Sequence, residues 1–393
     1  MNKFKKTEEK KYFTKQNTYK NLLNIGKGSL LSSLDIELTE RCNNNCIHCY
    51  INQPADDENL KNKELSTAEI KSILKESASL GCLNVRFTGG EPLLRQDFEE
   101  IYLYARKLGL RVLIFTNGCL ITPHLAQLFK NIPPLEGIEI TVYGMSKTSY
   151  EKVTRVAGSY EKAWNGINLL LKNEMPFSVK ASILPSFKPE IEKFEEWAYN
   201  NVKPQNETKY GNYSMSFDLR ARRDSEDKNQ LIRKLRLPPE ETLKILTRDK
   251  EGYIKNVKEY YERCGGPVGK TLFDCGAGIQ SGCVDAYGNF QMCLLLRHPK
   301  TVYNLKKGSL KEVLQNFFPT VRKMVAENPV YLERCAKCVL KGLCDQCPAK
   351  SWMEHGTLDT PVEYLCEISH TKARLLGFLK EGEKGWEVKV VRK

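Results

Sequence analysis

The 393-residue sequence lacks the long apolar segment that a membrane-spanning protein needs. No apolar run approaches the roughly 20 residues of a transmembrane helix, and the mean hydropathy is −0.47. The first residues are rich in lysine but contain no apolar signal-peptide core. Internal repeats and low-complexity segments are also missing. These absences exclude a membrane or secreted protein, and we expect a cytoplasmic protein with no membrane partner.

The composition indicates folded domains with a basic surface. Hydrophobic residues make up 41% of the chain, which excludes global disorder, and the length predicts two to three domains. The formal net charge is +13, which would suit a nucleic acid or an acidic peptide. However, lysine and glutamate are interspersed through most of the chain, as on a solvated surface, and no RNA-binding motif is evident. We therefore expect no nucleic-acid partner.

Cysteine is abundant, with 14 residues. Thiols stay reduced in the cytosol, so these cysteines point to metal ligands or catalytic groups before disulfides. They form one tight triplet near the start and one large group from residue 264 onward, which indicates two functional modules. The 14 positions are Cys42, Cys46, Cys49, Cys82, Cys119, Cys264, Cys275, Cys283, Cys293, Cys335, Cys338, Cys344, Cys347 and Cys366.

Strand-like and helix-like stretches alternate from residue 34 to about 220. This alternation predicts an α/β fold with a parallel sheet, and six units make a partial (β/α)6 barrel, not a closed eight-stranded one. The predicted strands are Leu34–Leu38, Asn84–Thr88, Arg111–Thr116, Gly137–Tyr143, Phe177–Leu184 and Tyr213–Leu219. The predicted helices lie near 66–79, 97–108, 123–130, 160–172 and 189–200.

The rest of the chain divides around this core. We predict a basic N-terminal extension, a core domain, a charged helical connector, a small cysteine-rich α+β domain and a basic C-terminal tail. Their respective ranges are 1–33, 34–220, 221–263, 264–370 and 371–393. Sites in parallel sheets form at the carboxyl ends of the strands, and informative residues follow four predicted strands there. These residues are Cys42–Cys49, Gly89–Pro92, Asn117–Gly118 and Gly144.

Cys42, Cys46 and Cys49 have the spacing C-x3-C-x2-C, within RCNNNCIHCY. A tetrahedral zinc site takes four ligands, commonly from paired C-x2-C units, so three thiolates leave it incomplete. A [4Fe–4S] cluster also takes four ligands, and three cysteines would leave one iron open to a chelating ligand. The amino and carboxylate groups of a methionine are such a ligand. The alternative is a zinc or incidental cysteine loop.

This loop resembles the signature of the radical S-adenosylmethionine (radical SAM) superfamily, C-x3-C-x-aromatic-C, with His48 in the aromatic slot. Residues 88–92, TGGEP, match the family's GGEP segment, which implies a backbone cradle for the methionine amine. Glycine lets the main chain approach a ligand closely. Thr141 matches a ribose-contacting Ser/Thr, and Arg155 lies in a suitable region for the carboxylate. The resemblance therefore implies these cofactor-binding residues: His48, Gly89, Gly90, Glu91, Thr141 and Arg155.

The cysteines after residue 264 resemble the SPASM module, a C-terminal extension of one branch of radical SAM enzymes. The pattern is C-x12-G-x4-C, then C-x2-C-x5-C-x2-C, then a last cysteine; the family more often has C-x3-C at the last pair. The resemblance implies two auxiliary [4Fe–4S] clusters, and a pair of zinc sites is the alternative. One cluster would use Cys275, Cys283, Cys293 and Cys347. The other would use Cys335, Cys338, Cys344 and Cys366.

Three cysteines remain outside these sets. Cys82 and Cys119 adjoin strands, and we expect buried small hydrophobic residues. Cys264, in RCGGPVG, is a candidate reactive thiol or substitute ligand. Cys283 is the least secure ligand, because the family's second ligand varies in place.

The resemblance implies an iron–sulfur oxidoreductase that cleaves S-adenosylmethionine. In the family a 5′-deoxyadenosyl radical removes a hydrogen from the substrate, and auxiliary clusters accept an electron. SPASM proteins often act on peptides, so we expect a peptide or protein substrate, as in ribosomal-peptide maturation, and a reductant such as flavodoxin or ferredoxin. The alternatives are a small-molecule enzyme of cofactor, haem or antibiotic biosynthesis, and a non-catalytic iron–sulfur or RNA-binding protein.

Two features narrow the expected chemistry. Sulfatase-maturing relatives carry a proton-accepting Asp directly after G-x4-C; Leu294 stands there, which disfavours formylglycine formation. Only 33 residues precede the first predicted strand, too few for an N-terminal leader-binding domain. We expect peptide recognition by the core, by the basic extension or by a separate partner. The sequence assigns no catalytic base: Tyr143, Glu139 and Asp218 are candidates, each expected to be structural.

Overall fold

The structure is a computed structural model that describes residues 30–203, 212–222, 224–248, 250–264, 266–267 and 269–389. Nearly all of the predicted N-terminal extension, and the side chain of Cys264, lie outside this described part. The described helices include none that is long and apolar enough to cross a membrane. The chain divides into two compact units. The first comprises residues up to 219 with 277–294 and 302–319, and the second comprises 220–276, 295–301 and 320–393.

The first unit is built on a mixed, largely parallel sheet. Eleven strands are present in the described residues: β1 Ser33–Thr39, β2 Arg41–Cys42, β3 Gln53–Pro54, β4 Asn84–Gly89, β5 Arg111–Thr116, β6 Leu135–Val142, β7 Ser178–Ser182, β8 Tyr213–Ser216, β9 Ser281–Val284, β10 Asn289–Gln291 and β11 Val302–Asn304. Nine of them form one sheet in the order β11-β10-β9-β1-β4-β5-β6-β7-β8, and β2 pairs with β3. All six predicted strands are present, and they run parallel from β1 through β4 to β8. The predicted partial barrel is confirmed.

Helices return the chain between the parallel strands. In the first unit they are α1 Glu58–Lys61, α2 Thr67–Ser79, α3 Phe98–Lys107, α4 Pro123–Asn131, α5 Lys147–Thr154, α6 Ser159–Lys172 and α7 Ile191–Asn201. Strand residues at alternate positions are buried, as with Leu34 and Ile36 on β1. The helices bury an apolar stripe, such as Ile70 and Leu74 on α2. Ser66 begins α2 with a reciprocal capping box to Glu69.

The second unit is mainly helical in the described residues. Its helices are α8 Glu226–Lys234, α9 Pro239–Leu246, α10 Lys250–Cys264, α13 Pro329–Glu333, α14 Pro348–His355 and α15 Glu363–Leu375. Between β11 and α13 the chain forms α11 Leu310–Glu312 and the π-helical turn Val313–Phe317, which belong to the first unit, and α12 Phe318–Arg322, which begins in the first unit and ends in the second. One apolar cluster of the second unit joins residues after Cys338 to the end of α15 and the turn that follows. Its buried members are Val339, Leu340, Leu343, Ala373, Leu376 and Leu379.

The structure divides the cysteine-rich domain predicted over 264–370 between the two units. The hairpin of β9 and β10, followed by β11, extends the sheet of the first unit. The reason is backbone pairing: β9 lies parallel to β1, with Ser281 opposite Ser33 and Val284 opposite Ile36. β9, β10 and β11 are therefore part of the nine-stranded sheet, and the boundaries of the cysteine-rich domain stay a prediction.

Candidate active site and cysteine-lined cavity

The cysteine triplet lies on the loop that follows β1, and the end of α5 holds this loop in place. The backbone N–H of Asn45 donates to the carbonyl of Thr154 at 2.9 Å, and that of Ile47 donates to the carbonyl of Val153 at 3.0 Å. These are carbonyls of the last helical turn, which have no partner within the helix. The loop and the helix end therefore satisfy each other's backbone groups.

Arg155 adds a second attachment to the same loop. It ends α5 in the left-handed conformation, with φ of 56°. Its Nε donates to the backbone carbonyl of Asn45 and its Nη2 to the Oδ1 of Asn45, both at 2.8 Å. In this structure the guanidinium contacts the cysteine loop. Carboxylate binding by Arg155 stays a prediction.

The three thiols of the loop lie close enough to influence one another. Burial raises the pKa of Cys42 well above its usual range, and the charges of Glu91, Cys46 and Cys49 raise it further. Among the described side chains, no group of three or more His, Cys, Asp or Glu stands in an arrangement that could hold a metal ion. The donor chemistry nevertheless fits an iron–sulfur cluster, because three adjacent soft thiols suit iron and a cationic centre would offset their repulsion.

The TGGEP segment packs directly against the backbone that leads into the cysteine loop. Gly90 N–H donates to the carbonyl of Thr39 at 2.7 Å, and Glu91 N–H donates to that of Arg41 at 3.0 Å. A Cβ on Gly89, whose φ is +128°, would lie 2.1 Å from the carbonyl oxygen of Thr39. A Cβ on Gly90 would lie 2.3 Å from the carbonyl oxygen of Arg41. Only glycine permits this approach. The end of β4 and the start of the cysteine loop therefore form one closely packed surface, which we call the floor of the site.

Glu91 joins the ends of β4 and β5 below this floor. Its side chain is fully buried and accepts hydrogen bonds from Thr116 Oγ1 and the Asn117 N–H at 2.8 Å, and from the Leu93 N–H at 3.1 Å. Burial raises the pKa of Glu91 to about 7, and the three donors oppose that shift. The side chain braces the protein, and a direct contact with a cofactor stays a prediction.

Asn117 is a site residue to which the sequence assigned no role. Its Nδ2 donates to the Oδ1 of Asn43 at 2.8 Å and lies 3.7 Å from the Sγ of Cys42. Asn117 follows β5, so its place at a strand end was the one available signal. Two cysteines near the strands were predicted to be buried. Cys82 is fully buried, as predicted. Cys119 is only half-buried, and its Sγ lies 4.0 Å from the Nδ2 of Asn44.

The remaining predicted site residues are His48, which lies on the cysteine loop, and four residues that lie on or after β6 and β8. The ring of His48 contacts that of Tyr143 edge-on, with 5.7 Å between centroids. Tyr143 is half-buried, and desolvation raises its pKa well above the usual range. Glu139 pairs with Lys180 at 3.8 Å, and burial raises the pKa of the Glu139 carboxyl. Thr141 is half-buried near the end of β6, and Asp218 is half-buried after β8.

The second unit contains a cavity of about 510 Å³ whose walls carry thiols. Burial raises the pKa of Cys335, and the charges of Cys344, Cys366 and Cys338 raise it further, so these four lie near one another. Burial likewise raises the pKa of Cys347, with a smaller contribution from Cys275. The cysteines that line the cavity are Cys275, Cys335, Cys338, Cys344, Cys347 and Cys366.

The other two predicted auxiliary ligands belong to the first unit. Cys283 is fully buried on β9, and Cys293 is half-buried shortly after β10. The set predicted for one cluster is therefore split, with Cys275 and Cys347 in the second unit. The donor set of the cavity fits iron–sulfur clusters, because it is made of soft thiols enclosed in a pocket.

The first of these sites lies in a part of the chain that matches a known protein family. Residues 36–198, which include the cysteine triplet and the TGGEP segment, match the radical SAM superfamily. Residues 36–198 form a radical SAM domain. This family uses a [4Fe–4S] cluster and S-adenosylmethionine, and the match supports the predicted radical SAM enzyme.

Curated relatives match part of the chain. An AdoMet-dependent heme synthase of Methanosarcina barkeri is 33% identical over 162 residues, 41% of this chain and 45% of the relative. A probable GTP 3′,8-cyclase of Methanocella arvoryzae is 33% identical over 144 residues, 37% of this chain and 45% of the relative. The chain spans less than half the length of these two relatives.

Solved structures resemble the chain well beyond the radical SAM domain. Streptococcus suis SuiB, bound to its precursor peptide SuiA, has a TM-score of 0.61 at 15% identity, over 88% of this chain and 78% of SuiB. The protein anSMEcpe, with bound AdoMet and the Cp18Cys peptide, has a TM-score of 0.59 at 16% identity, over 88% of this chain and 98% of anSMEcpe. At these identities the likeness establishes the fold.

Proposed function

We propose that this chain is a radical SAM oxidoreductase that modifies a peptide or protein side chain and uses two auxiliary clusters for electron transfer. The observation that carries the proposal is the cavity lined by six cysteines, in a chain that also contains a radical SAM domain. A hydrogen-abstracting enzyme that oxidises its substrate needs a place for the second electron. Cysteine-ligated iron–sulfur clusters provide such a place.

The residues of this chain would divide the work between two sites. When bound, the first cluster and S-adenosylmethionine supply the hydrogen-abstracting radical. Cys42, Cys46 and Cys49 would hold the first cluster, while Gly89 and Gly90 shape the floor beside it. The auxiliary ligands would be Cys275, Cys283, Cys293 and Cys347 for one cluster, and Cys335, Cys338, Cys344 and Cys366 for the other. The cofactor-binding residues would be His48, Gly89, Gly90, Glu91, Thr141 and Arg155.

A peptide substrate is favoured by the extent of the likeness to other proteins. The heme synthase and the GTP cyclase match at most 41% of this chain. SuiB and anSMEcpe, whose solved structures contain peptides, match 88% of it. The likeness in fold to these two proteins extends beyond the radical SAM domain, into the part of the chain that carries the cysteine-lined cavity.

The test begins with anaerobic reconstitution and counting of iron and sulfide. We expect about twelve irons per chain for three clusters, and formation of 5′-deoxyadenosine after reduction by dithionite or flavodoxin. Peptides encoded by small reading frames beside the gene are then added. Loss of two hydrogens from one peptide, in proportion to the 5′-deoxyadenosine formed, would support the proposal.

The matched control is the full chain with Cys42, Cys46 and Cys49 all replaced by alanine. We expect it to retain about eight irons and to form no 5′-deoxyadenosine. A colourless zinc protein from the unaltered chain would contradict the proposal. A protein with about four irons would reduce it to radical chemistry without auxiliary clusters.

The second candidate is a small-molecule enzyme, favoured by the 33% identity of part of this chain to a heme synthase and to a GTP cyclase. The same assay with iron-coproporphyrin III or GTP in place of the peptides separates the two. Conversion of either compound, together with inert peptides, would establish the second candidate.

A further inference from the structure

The chain segment 384–388, KGWEV, lies against the thiol-lined wall of the cavity, although its sequence shows only a basic tail. The N–H of Gly385 donates to the Nε2 of His370 at 3.0 Å, and its carbonyl accepts from the N–H of Val339 at 2.9 Å. A Cβ at residue 385 would lie 2.7 Å from the Sγ of Cys338. The segment is therefore packed on the sulfur of a proposed cluster ligand.

Arg334 lies under the same segment and is held from two sides. Its Nη1 and Nη2 donate to the two carboxylate oxygens of Glu363 at 2.8 and 2.9 Å. Its Cζ lies 4.6 Å from the centre of the Trp386 ring, which also lines the cavity. A forked ion pair and an aromatic face together fix the plane of a guanidinium. Only 23% of the Arg334 side chain is exposed.

The fixed guanidinium points one N–H at sulfur. Nη2 of Arg334 lies 3.5 Å from the Sγ of Cys366. Arg334 also directly precedes Cys335 in the sequence. Its cation therefore lies beside the sulfur of one proposed ligand of this auxiliary cluster, on the residue next to another.

We propose that Arg334 is a positioning residue that raises the reduction potential of the cluster on Cys335, Cys338, Cys344 and Cys366. This inference rests on the proposed function. Reduction adds one negative charge to a cluster and its thiolate ligands. An N–H donor and a positive charge beside a ligand sulfur therefore stabilise the reduced state more than the oxidised state.

The consequence for the proposed reaction is a better electron acceptor. The substrate gives one hydrogen atom to the radical, then one electron to the auxiliary cluster and one proton to solvent. A flavodoxin- or ferredoxin-class carrier then removes that electron and restores the oxidised cluster. A higher potential favours the electron step, since the product is formed only when the substrate radical is oxidised.

The test is an anaerobic redox titration monitored by electron paramagnetic resonance. The full chain carries alanine at Cys42, Cys46 and Cys49, so that only auxiliary clusters contribute to the signal. We expect Arg334→Gln to make reduction of one cluster about tenfold less favourable, which is a shift of about 59 mV to lower potential for a one-electron couple. Arg334→Lys keeps the charge but not the fork, and we expect an intermediate potential.

Glu363→Gln tests the same ion pair, but here we expect the reduction potential to change in the opposite direction. Glu363 is 62% exposed, so we expect its replacement to leave the fold intact. It removes the negative charge that offsets Arg334, and we expect a shift to higher potential. If Arg334→Gln cannot retain iron, this variant decides alone: an unchanged or lower potential would overturn the inference. Equal shifts from Arg334→Gln and Arg374→Gln, a cation on the same helix as Cys366 that pairs with Glu381, would also overturn it.

The two levels of the proposal fail differently. If the chain with alanine at Cys42, Cys46 and Cys49, which is the parent of these variants, gives no iron–sulfur signal, the assignment of clusters to the cavity is overturned. A parent protein with two auxiliary clusters whose potentials do not respond to Arg334→Gln and Glu363→Gln overturns the role of Arg334 alone.

Discussion

The guanidinium of Arg155 donates one hydrogen bond to the backbone carbonyl of Asn45 and another to the Oδ1 of Asn45. Asn45 directly precedes Cys46, the second cysteine of the triplet. This contact makes the orientation of the cysteine loop depend on the end of α5. It also gives Arg155 a task that differs from the carboxylate binding implied by its position in the sequence.

Replacing Arg155 distinguishes these two tasks. Arg155→Ala removes both hydrogen bonds, and we expect a loss of about 1 kcal/mol of stability and weaker iron retention at the first cluster. Arg155→Gly removes the same bonds but relieves the left-handed backbone at φ of 56°, so we expect it to be the more stable of the two. Iron content and urea unfolding measure these effects. Full iron retention with weakened S-adenosylmethionine binding would instead favour the carboxylate role.

The close packing of the TGGEP segment predicts that alanine at Gly90 lowers the free energy of unfolding much more than alanine at Gly158. Gly90→Ala places a methyl group against backbone that cannot yield, and we expect a loss of more than about 3 kcal/mol. Gly158→Ala is the matched control, because its φ is +77° but nothing lies within 4 Å of a Cβ there. We expect about 1 kcal/mol for that strain alone. Urea unfolding of both variants measures the difference, and equal effects would contradict the close packing.

Glu91 predicts a pH-dependent difference in stability. Burial raises its pKa from 4.5 to about 7, so between these values the folded protein binds the proton more tightly than the unfolded chain. Its contribution to stability is therefore present at pH 4.5 and declines as the pH rises through 7. Glu91→Gln does not titrate, and its amide NH2 meets a donor. We expect a loss of about 2 kcal/mol at low pH that becomes smaller at pH 8.

Thermal unfolding at pH 5.5 and pH 8 measures this difference between Glu91→Gln and the unaltered protein. A difference that grows with pH would mean that the donors Thr116, Asn117 and Leu93 hold Glu91 ionised in the folded state. That result would reverse the assigned direction of the pKa shift.

Replacing different cysteines near the first site should give variants with different iron contents. Cys46→Ala should release the first cluster, about four irons per chain. Cys119→Ala should retain it, because the Cys119 side chain contacts Asn44 and Ser159, and the triplet already supplies the cluster ligands. Cys82→Ala is the control at a fully buried position. Loss of iron from the Cys119 variant but not from the Cys82 variant would add Cys119 to the ligand set.

The sequence predicted the elements whose signals are local. Arg111–Thr116 was located to the residue, and the other five parallel strands within a few residues, because most of them alternate buried apolar residues between turn signals. The exception is β8, Tyr213–Ser216, all of whose residues are half-buried. The cysteine loop and TGGEP were recognisable because their residues are adjacent in sequence. The pairing of β9 with β1 was not predictable in this way, since it joins residues separated by about 250 positions and leaves no local pattern.

The contacts that complete the sites were also beyond the sequence. Asn117 reaches the cysteine loop only because β5 ends beside it, and Arg155 only because α5 ends there. The residues near Trp386 showed only the charge of a solvated tail. Nothing in that pattern indicates that Gly385 packs on the sulfur of Cys338.

The parallel pairing of β1 with β9 has a consequence for protein synthesis. One edge of β1 has no neighbour until residues 281–284 have been made. At 5–20 residues per second this interval lasts roughly 10 to 50 s, during which an unpaired strand edge is open to other chains. The sheet of the first unit therefore stays incomplete during synthesis until a strand far downstream in the chain has been made.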